Sequence, residues 1–341
     1  MKANLPEGDL DGVSRTVGAL WKQLCGKHIL FTGASGFFGS WMLETFLHAN
    51  QTLGLGAKAV AVTRSGMQFA KQLPHLASHP QVEVLEADVA SVPTPEGPVD
   101  FVIHSIVPDT GTPLPETASF FQAATQQLLD IALQKNASAF LLCSTGAVYQ
   151  PKDPPAPFSE RDPLVPLDGP LSYRQIRRRV EEQCSQALAN RRTALKIARG
   201  FTFVGPRLPL DGNFAVGNFL HDALAGRTIT VKGNGTPIRS YLYAADMAAW
   251  LWIILLKGSN RASYNVGSGE AITIGDLAKT IGTLFMQDVC IEGAPVPGTA
   301  PSCYLPQIGS ALFPEKPISL PESLNRTTSW HQTSASMQAR P

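Results

Sequence analysis

Short apolar runs alternate with longer amphipathic segments along the first 200 residues of this chain. The runs predict strands and the longer segments predict helices, because their apolar residues recur at the periods of those structures. Strands are predicted at 28–32, 58–63, 82–86, 100–104, 138–143 and 194–199, and helices at 39–49, 117–134 and 172–188. Strands that alternate with helices imply parallel pairing in a doubly wound α/β sheet, whose ligands bind at the carboxyl ends of the strands.

The pattern differs on either side of this region. Before the first strand, residues 1–25 form an N-terminal extension with one helix predicted at 13–24. After residue 199, the pattern predicts helices at 214–225, 244–257 and 274–285 and strands at 228–232 and 263–266. The last residues, from about Ser334, are polar and expected to fray. A chain of 341 residues is long enough for two modest domains.

Three glycines follow the first apolar run, in the stretch HILFTGASGFFGS. Gly33, Gly36 and Gly39 have the spacing GxxGxxG rather than GxGxxG. In a strand–turn–helix unit, such glycines permit a tight turn, the approach of backbone N–H groups to a pyrophosphate, and close helix–strand packing. The stretch therefore predicts a dinucleotide-binding βα unit, and the alternative is a purely structural glycine turn.

A second group of polar residues follows the run 139–143. Ser144 and Thr145 come directly after it, and Tyr173 and Arg177 open the helix predicted at 172–188. Residues four apart on a helix share a face, so Tyr173 and Arg177 can point at one ligand. A tyrosine beside a fixed cation has its phenolate favoured and can transfer a proton near neutral pH. The alternative is a surface tyrosine on a basic helix and an ordinary strand end.

At this point the chain resembles a known family, the extended short-chain dehydrogenases/reductases, in the NAD-dependent epimerase/dehydratase group that acts on nucleotide sugars. The resemblance covers about residues 26–330. It rests on GASGFFGS, on Asp88 after a strand, and on DFVIHS (100–105), STGAVY (144–149), YxxxR (173–177) and RSYLYAADMA (239–248) in this order. Residues 211–243 look most like the UDP-glucuronate decarboxylase and dTDP-glucose dehydratase branches.

The resemblance implies a domain division and a set of site residues. A Rossmann-type domain would span 26–200, with 238–266 returning to it. A smaller C-terminal α/β substrate domain would span 201–237 and 267–330, followed by a tail at 331–341. The implied cofactor-binding residues are Gly33, Ser35, Gly36, Phe37, Phe38, Gly39, Arg64, Asp88, Val89, Ser105, Tyr173 and Arg177. The implied catalytic residues are Thr145, Tyr173 and Arg177, and the implied substrate-binding residues are Thr145, Thr202, Asn218 and Arg239.

The choice of cofactor depends on Arg64. An acidic residue that selects NAD often follows the second strand of such folds, but Thr63 stands there, followed by Arg64. A cation at this point can pair with an adenosine 2′-phosphate or stack on adenine, which favours NADP over NAD. The alternative for Arg64 is an ordinary solvated arginine. The alternative for Asp88 is a turn or helix cap, and His104 is expected to be a packed residue rather than a base.

Four residues depart from the family pattern. Arg177 replaces a lysine, Phe121 and Thr202 each replace an asparagine, and Gln150 replaces a glycine. These departures put efficient turnover in doubt and leave open a catalytically degenerate dinucleotide-binding protein.

The residues after Thr145 bear on the reaction. Gly146 and Ala147 follow it, where sugar dehydratases of the family carry two carboxylates and decarboxylases carry a glutamate. The absence of an ionisable group favours epimerisation through a transient 4-keto sugar. The alternatives within the family are an NADPH-dependent 4-ketoreductase and a dehydratase or decarboxylase.

Composition limits the partners. With 28 Lys and Arg against 27 Asp and Glu, there is no electrostatic case for nucleic acid as a partner. Five scattered cysteines without CxxC spacing indicate neither a disulfide framework nor a metal site. We expect a cytoplasmic protein, since there is no signal-like N-terminus and the apolar run 247–256 is too short to span a bilayer. By resemblance, we expect a homodimer formed through 117–134 and 172–188.

Overall fold

The computed structural model describes residues 2–107, 111–212, 214–309, 311–313 and 316–338. The helices are α1 (Glu7–Val17), α2 (Phe37–Leu53), α3 (Gly66–Gln72), α4 (Pro74–Ala77), α5 (Leu114–Gln134), α6 (Tyr173–Ala187), α7 (Ala215–Leu224), α8 (Ala244–Lys257), α9 (Ile274–Phe285) and α10 (Leu320–Gln338). Short 3-10 helices occur at Gly18–Leu24, Val89–Ser91 and Gly146–Val148. The strands are β1 (His28–Thr32), β2 (Lys58–Thr63), β3 (Val82–Glu86), β4 (Phe101–His104), β5 (Ala139–Thr145), β6 (Ala194–Gly200), β7 (Phe203–Val204), β8 (Ile229–Val231), β9 (Ile238–Arg239), β10 (Leu242–Tyr243), β11 (Ala262–Val266), β12 (Ile272–Thr273), β13 (Val289–Ile291) and β14 (Cys303–Tyr304).

The main sheet, built from described residues, has seven parallel strands in the order β11-β6-β5-β4-β1-β2-β3. The chain runs outward from β1 to β3 and then crosses back to β4 on the other side of β1. This reversal creates a switch point between β1 and β4, where ligands of open α/β sheets bind. The doubly wound Rossmann-type fold predicted from the sequence is confirmed.

A buried helix forms the centre of one layer. The sequence of α8 is apolar almost all round, and its residues are buried except for Asp246, Leu256 and Lys257. Trp252 on α8 lies 5.0 Å from Trp21 and 6.1 Å from Phe46, measured between ring centroids. The helix therefore joins the N-terminal segment to α2. Across the described chain, every helix falls short of the length or hydropathy needed for a membrane span.

The N-terminal segment differs from the prediction. The helix expected at 13–24 is instead α1, which ends at Val17, followed by the 3-10 helix Gly18–Leu24. Gly18 is the C-cap of helix α1, and its φ of +56° lies in a region that favours glycine. Trp21 and Leu24 are fully buried in the main core, and α1 packs on α8 and α2. The segment is therefore part of the core rather than an appended extension.

The C-terminal end also differs from the prediction. Helix α10 continues from Leu320 to Gln338, across the region expected to fray from Ser334 and across most of the predicted tail 331–341. Its first half is held by packing, because Leu320 and Leu324 are buried in a cluster with α7 and α9. Residues 339–341 of that tail lie outside the described residues.

A smaller unit lies beyond β6. Here β9 pairs with β12 in antiparallel and with β14 in parallel orientation, and β8 pairs with β13. The β9–β14 register places Tyr304 directly opposite Arg239. Helix α8 and β11 return to the main sheet, while β9 stays with the smaller unit. The smaller unit thus places Arg239 and Tyr304 beside the carboxyl ends of β5 and β6.

The Gly39→Ala substitution should lower the free energy of unfolding by about 1–3 kcal/mol, because the new Cβ would overpack against backbone. It would lie 2.2 Å from the carbonyl oxygen of Gly33. Urea denaturation measures the change. Gly12→Ala is the matched control: its Cβ meets only the end of Arg15 at 4.0 Å, and alanine should stabilise α1 by about 0.5–1 kcal/mol. A Gly39→Ala protein as stable as the wild type would contradict this close contact.

Candidate coenzyme and substrate site

The turn between β1 and α2 is built from glycine for steric reasons. Gly33 has a φ of +71°, and a Cβ there would lie 2.4 Å from the carbonyl oxygen of Ser105 at the end of β4. The N–H of Gly36 donates to the carbonyl of Gly33 at 2.9 Å, which closes the turn. Gly36 is also the N-cap of α2 and offers no side chain to cap the helix. The first N–H groups of α2 therefore have no acceptor within the helix and suit an anionic ligand.

A cleft of about 780 Å³ opens beside this turn. Seven of the predicted cofactor-binding residues line it, namely Gly33, Ser35, Gly36, Arg64, Asp88, Val89 and Ser105. Phe37, Phe38, Gly39, Tyr173 and Arg177 are not among its lining residues. The glycine cradle, the uncapped helix start and the polar lining fit the adenosine diphosphate half of a dinucleotide.

Two residues that line the cleft, Asp88 and Ser105, and the neighbouring His104 also have structural contacts. Asp88 accepts a hydrogen bond from the N–H of Ala90 at 2.8 Å and caps the 3-10 helix after it, so the turn-cap role coexists with its place in the cleft. Ser105 donates to the carbonyl of Thr32 at 2.7 Å. His104 is buried behind them, and burial lowers its pKa to about 3, so its ring is neutral and packed.

Thr145 ends β5 beside a tyrosine that the sequence analysis did not identify. Its Oγ1 lies 3.2 Å from the hydroxyl of Tyr304 and accepts a hydrogen bond from the N–H of Ala147 at 3.2 Å. Burial raises the pKa of Tyr304 to about 12, so this phenol stays protonated. Tyr304 lies on a two-residue strand within the Pro- and Gly-rich segment 292–321, where no periodic pattern marks it.

The other predicted groups surround this hydroxyl pair. The Arg239 guanidinium lies 5.8 Å from the centroid of the Tyr304 ring, and its Nη1 donates to the carbonyl of Ile238 at 2.8 Å. Tyr173 is the first residue of α6 and is 40% exposed. Thr145 and Arg239 thus both lie beside Tyr304.

Across its described residues, the structure gives the two remaining predicted substrate residues no contact with this group. Thr202 donates its hydroxyl to the carbonyl of Ser240, so its side chain is engaged within the smaller unit. Asn218 is exposed on α7. Their roles toward a substrate stay predictions.

Two of the departures from the family pattern form one packed pair. Arg177 is 3% exposed, and its guanidinium lies 4.6 Å from the centroid of the Phe121 ring. Its Nη2 donates to the carbonyl of Cys143, two residues before Thr145. A planar guanidinium can stack on an aromatic ring in a way that an ammonium group does not. Arg177 therefore links α6 and α5 to β5 through Cys143 and Phe121. Its contact with a cofactor ribose stays a prediction.

A buried polar network supports the same strand end. Glu181 on α6 forms an ion pair with Arg199 on β6 at 2.8 Å and accepts a hydrogen bond from Ser144 at 2.6 Å. Tyr149 donates to Asn265 at 2.7 Å and accepts from Arg199 at 3.1 Å. Because these partners satisfy one another, the network holds β5, β6 and α6 in fixed positions. A search of the described part of the chain for metal-binding groups of His, Cys, Asp and Glu found none.

Comparison with known proteins identifies the family. Residues 29–267 match the profile of the NAD dependent epimerase/dehydratase family. The chain belongs to this family. Its members are enzymes, and the resemblance predicted from the sequence is confirmed.

Curated relatives and solved structures of epimerase/dehydratase enzymes are similar at modest identity. UDP-glucuronic acid decarboxylase 1 of Arabidopsis thaliana is 27% identical over 310 residues, which cover 88% of this chain and 69% of the relative. The Danio rerio UDP-glucuronic acid decarboxylase 1 is 27% identical over 323 residues, covering 92% and 74%. UDP-glucuronic acid 4-epimerase of Bacillus cereus, solved with UDP-glucuronic acid and NAD, superposes with a TM-score of 0.74 at 21% identity, covering 90% and 99%. An epimerase from Methanothermobacter thermautotrophicus gives 0.76 at 17% identity, covering 95% and 97%.

The Arg177→Lys substitution should lower the free energy of unfolding by about 1–2 kcal/mol, because lysine loses the stacked contact with Phe121. The dissociation constant for NAD should change less than about twofold, as expected when a substitution only weakens support behind the site. Chemical denaturation and calorimetric titration measure the two quantities. Arg191→Lys, at an exposed arginine after α6, is the control and should leave both unchanged. Weaker NAD binding with unchanged stability would instead favour the ribose contact.

Proposed function

We propose that this chain is a nucleotide-sugar 4-epimerase that acts through a transient 4-keto sugar. The observation that carries the proposal is the turn after Thr145. It contains Gly146 and Ala147, and a Cβ at Gly146 would lie 2.6 Å from the Phe201 ring. This strand end therefore offers hydroxyl groups to a sugar and no carboxylate for eliminating water. Hydroxyl groups suffice for a reaction that moves a hydride and a proton at one carbon.

The coenzyme site supports the redox half of this proposal. The turn from Gly33 to Gly36 and the start of α2 would hold the diphosphate of a nicotinamide dinucleotide, with Asp88 and Arg64 beside its adenosine half. When bound, such a dinucleotide supplies reversible acceptance of hydride from a sugar carbon. The solved relative from Bacillus cereus contains NAD. Arg64 supports binding of NADP as well, through its affinity for a 2′-phosphate.

The proton half depends on Tyr173 and Thr145. Tyr173 would accept the proton from the C4 hydroxyl during oxidation and return it after the keto sugar has presented its other face. Thr145 would hold the same oxygen throughout. The one hydroxyl hydrogen of Tyr304 faces both Thr145 Oγ1 at 3.2 Å and the Gly200 carbonyl at 3.4 Å, and this mechanism uses the shorter contact, with Tyr304 donating to Thr145. Together with the N–H of Ala147, it occupies the lone pairs of Thr145 and leaves the hydroxyl hydrogen of Thr145 free to point at the sugar.

Substrate binding in this proposal depends on Arg239. Its guanidinium is held beside Tyr304 and suits the diphosphate of a nucleotide sugar.

Pairing of two copies through α5 and α6, and a cytoplasmic location, stay predictions from the sequence.

Decarboxylation is the second candidate, favoured by the similarity to UDP-glucuronic acid decarboxylases. A ketone at C4 of a uronic acid lies β to the C6 carboxylate, so the same oxidation activates loss of carbon dioxide. Incubation with UDP-glucuronic acid separates the candidates by mass spectrometry. An epimerase yields a product of unchanged mass that chromatography separates from UDP-glucuronic acid, whereas a decarboxylase yields a product lighter by carbon dioxide. A 4-ketoreductase would consume NADPH with a keto sugar, and coenzyme binding without turnover of any nucleotide sugar would indicate a degenerate enzyme.

The Tyr173→Phe substitution should reduce kcat by about 10²–10⁴-fold, because the group that transfers the proton is lost. The dissociation constant for NAD should stay within about twofold of the wild type. Steady-state turnover and calorimetry measure the two effects. Tyr264→Phe on β11 is the matched control, and full activity in Tyr173→Phe would exclude this mechanism.

The Tyr304→Phe substitution should reduce kcat by about tenfold, because the hydroxyl of Thr145 loses the donor that orients it. Thr145→Val should cost more, and the double variant should cost no more than Thr145→Val alone, since Tyr304 acts through Thr145. Turnover by the three variants measures this coupling. Fully additive effects would contradict the orienting role.

A further inference from the structure

The first residues of the chain form a segment that is hydrogen bonded at every described position from Lys2 to Leu5. We call residues 2–6 the N-terminal strap. Its bonds are Lys2 N–H to the Gln72 carbonyl at 2.8 Å, Arg207 to the Ala3 carbonyl at 3.0 Å, Trp330 to the Asn4 carbonyl at 2.8 Å, and Leu5 N–H to the Glu44 carboxylate at 2.8 Å. Leu5 is also buried. These partners lie on separate elements, so the strap is a specifically held part of the fold.

Lys2 bonds two residues that line the coenzyme cleft, while Lys2 itself lines a second cleft beside α10. The Nζ of Lys2 donates to the carbonyl of Ser35 in the glycine turn at 3.3 Å. Its backbone N–H donates to Gln72 at the end of α3. Ser35 and Gln72 both line the cleft of about 780 Å³. A single residue therefore connects the turn at the start of α2 with the helix that follows Arg64.

The hydrogen bond from Lys2 to Ser35 stabilises the conformation of the glycine turn. The peptide between Ser35 and Gly36 accepts from Lys2 at its carbonyl and donates through its N–H to Gly33 at 2.9 Å. Hydrogen bonds in such a chain polarise and strengthen one another. The ammonium group thus stabilises the turn that presents the first N–H groups of α2.

The charge of Lys2 is also suited to an anionic ligand. Glu44, the carboxylate bonded to the strap, already forms ion pairs with Arg207 and His75. Among the described residues, no carboxylate lies within ion-pair distance of Lys2. Burial, and to a lesser extent Arg207, lower the pKa of Lys2, and a nearby anion would relieve this cost.

We propose that the N-terminal strap completes the coenzyme site, with Lys2 as a positioning residue that holds the glycine turn for the dinucleotide diphosphate and adds positive charge beside it. The inference rests on the coenzyme site of the proposed function and is independent of which sugar reacts.

Calorimetric titration of the full chain with NAD and with NADP tests this role. Lys2→Met should weaken binding of both by about five- to tenfold, because it removes a charge-assisted hydrogen bond, whereas Lys2→Arg should stay within about twofold of the wild type. Wild-type affinity should also fall more steeply with salt than that of Lys2→Met. Lys22→Met, at an exposed lysine on the 3-10 helix after α1, is the control and should bind as the wild type does.

Wild-type affinity in Lys2→Met would overturn the role of the strap and leave the proposed function intact. Failure of the wild type to bind either dinucleotide would overturn both. Hydrogen–deuterium exchange of the wild type gives a second readout that needs no variant. Saturating NADP should slow exchange of the strap amides by about tenfold or more while α9 stays unchanged, and unchanged exchange in the strap would contradict the proposal.

Discussion

The close approach between the glycine turn and the end of β4 is the contact on which the candidate coenzyme site depends. Backbone meets backbone there, since a Cβ at Gly33 would lie 2.4 Å from the Ser105 carbonyl oxygen and one at Gly39 would lie 2.2 Å from the Gly33 carbonyl oxygen. Backbone carbonyls cannot swing away as the end of a flexible side chain can. Glycine at these two positions therefore lets α2 begin at the switch point of the sheet, directly after the cleft residues Gly33 and Gly36.

Two of the four residues that depart from the family pattern, Arg177 and Phe121, contact the strand β5 through Cys143 rather than its end at Thr145. Arg177 and Phe121 pack together, and Arg177 bonds the carbonyl of Cys143. The ion pair between Glu181 on α6 and Arg199 on β6 also holds this strand, because Ser144 of β5 donates to Glu181. With β5 held in this way, Thr145 can keep a fixed position relative to the tyrosines around it. Loss of the usual lysine therefore leaves the hydroxyl groups of the site in place.

The N-terminal segment connects the core to the coenzyme cleft. Trp21 packs on Trp252 of α8, and Leu5 is buried near Glu44 of α2. The ring contact holds the segment against α8 and the hydrogen bond holds it against α2, and the bond from Lys2 then extends to the glycine turn. Core packing and the coenzyme site are thus physically continuous, so a change in one is expected to be felt in the other.

Residues close together in the chain were sufficient to predict the seven strands of the main sheet, most of the longer helices, the glycine turn and the polar strand ends, whereas helix α10 was not predicted. The sequence pattern misplaced the helix before β1, since the break at Gly18 and the burial of Trp21 depend on packing against α8. It also missed Tyr304, which meets Thr145 across 159 positions, and the contact of Lys2 with Ser35 across 33. These pairs form only in the folded chain, because local periodicity indicates which face a residue occupies and carries no information about which distant segment covers that face.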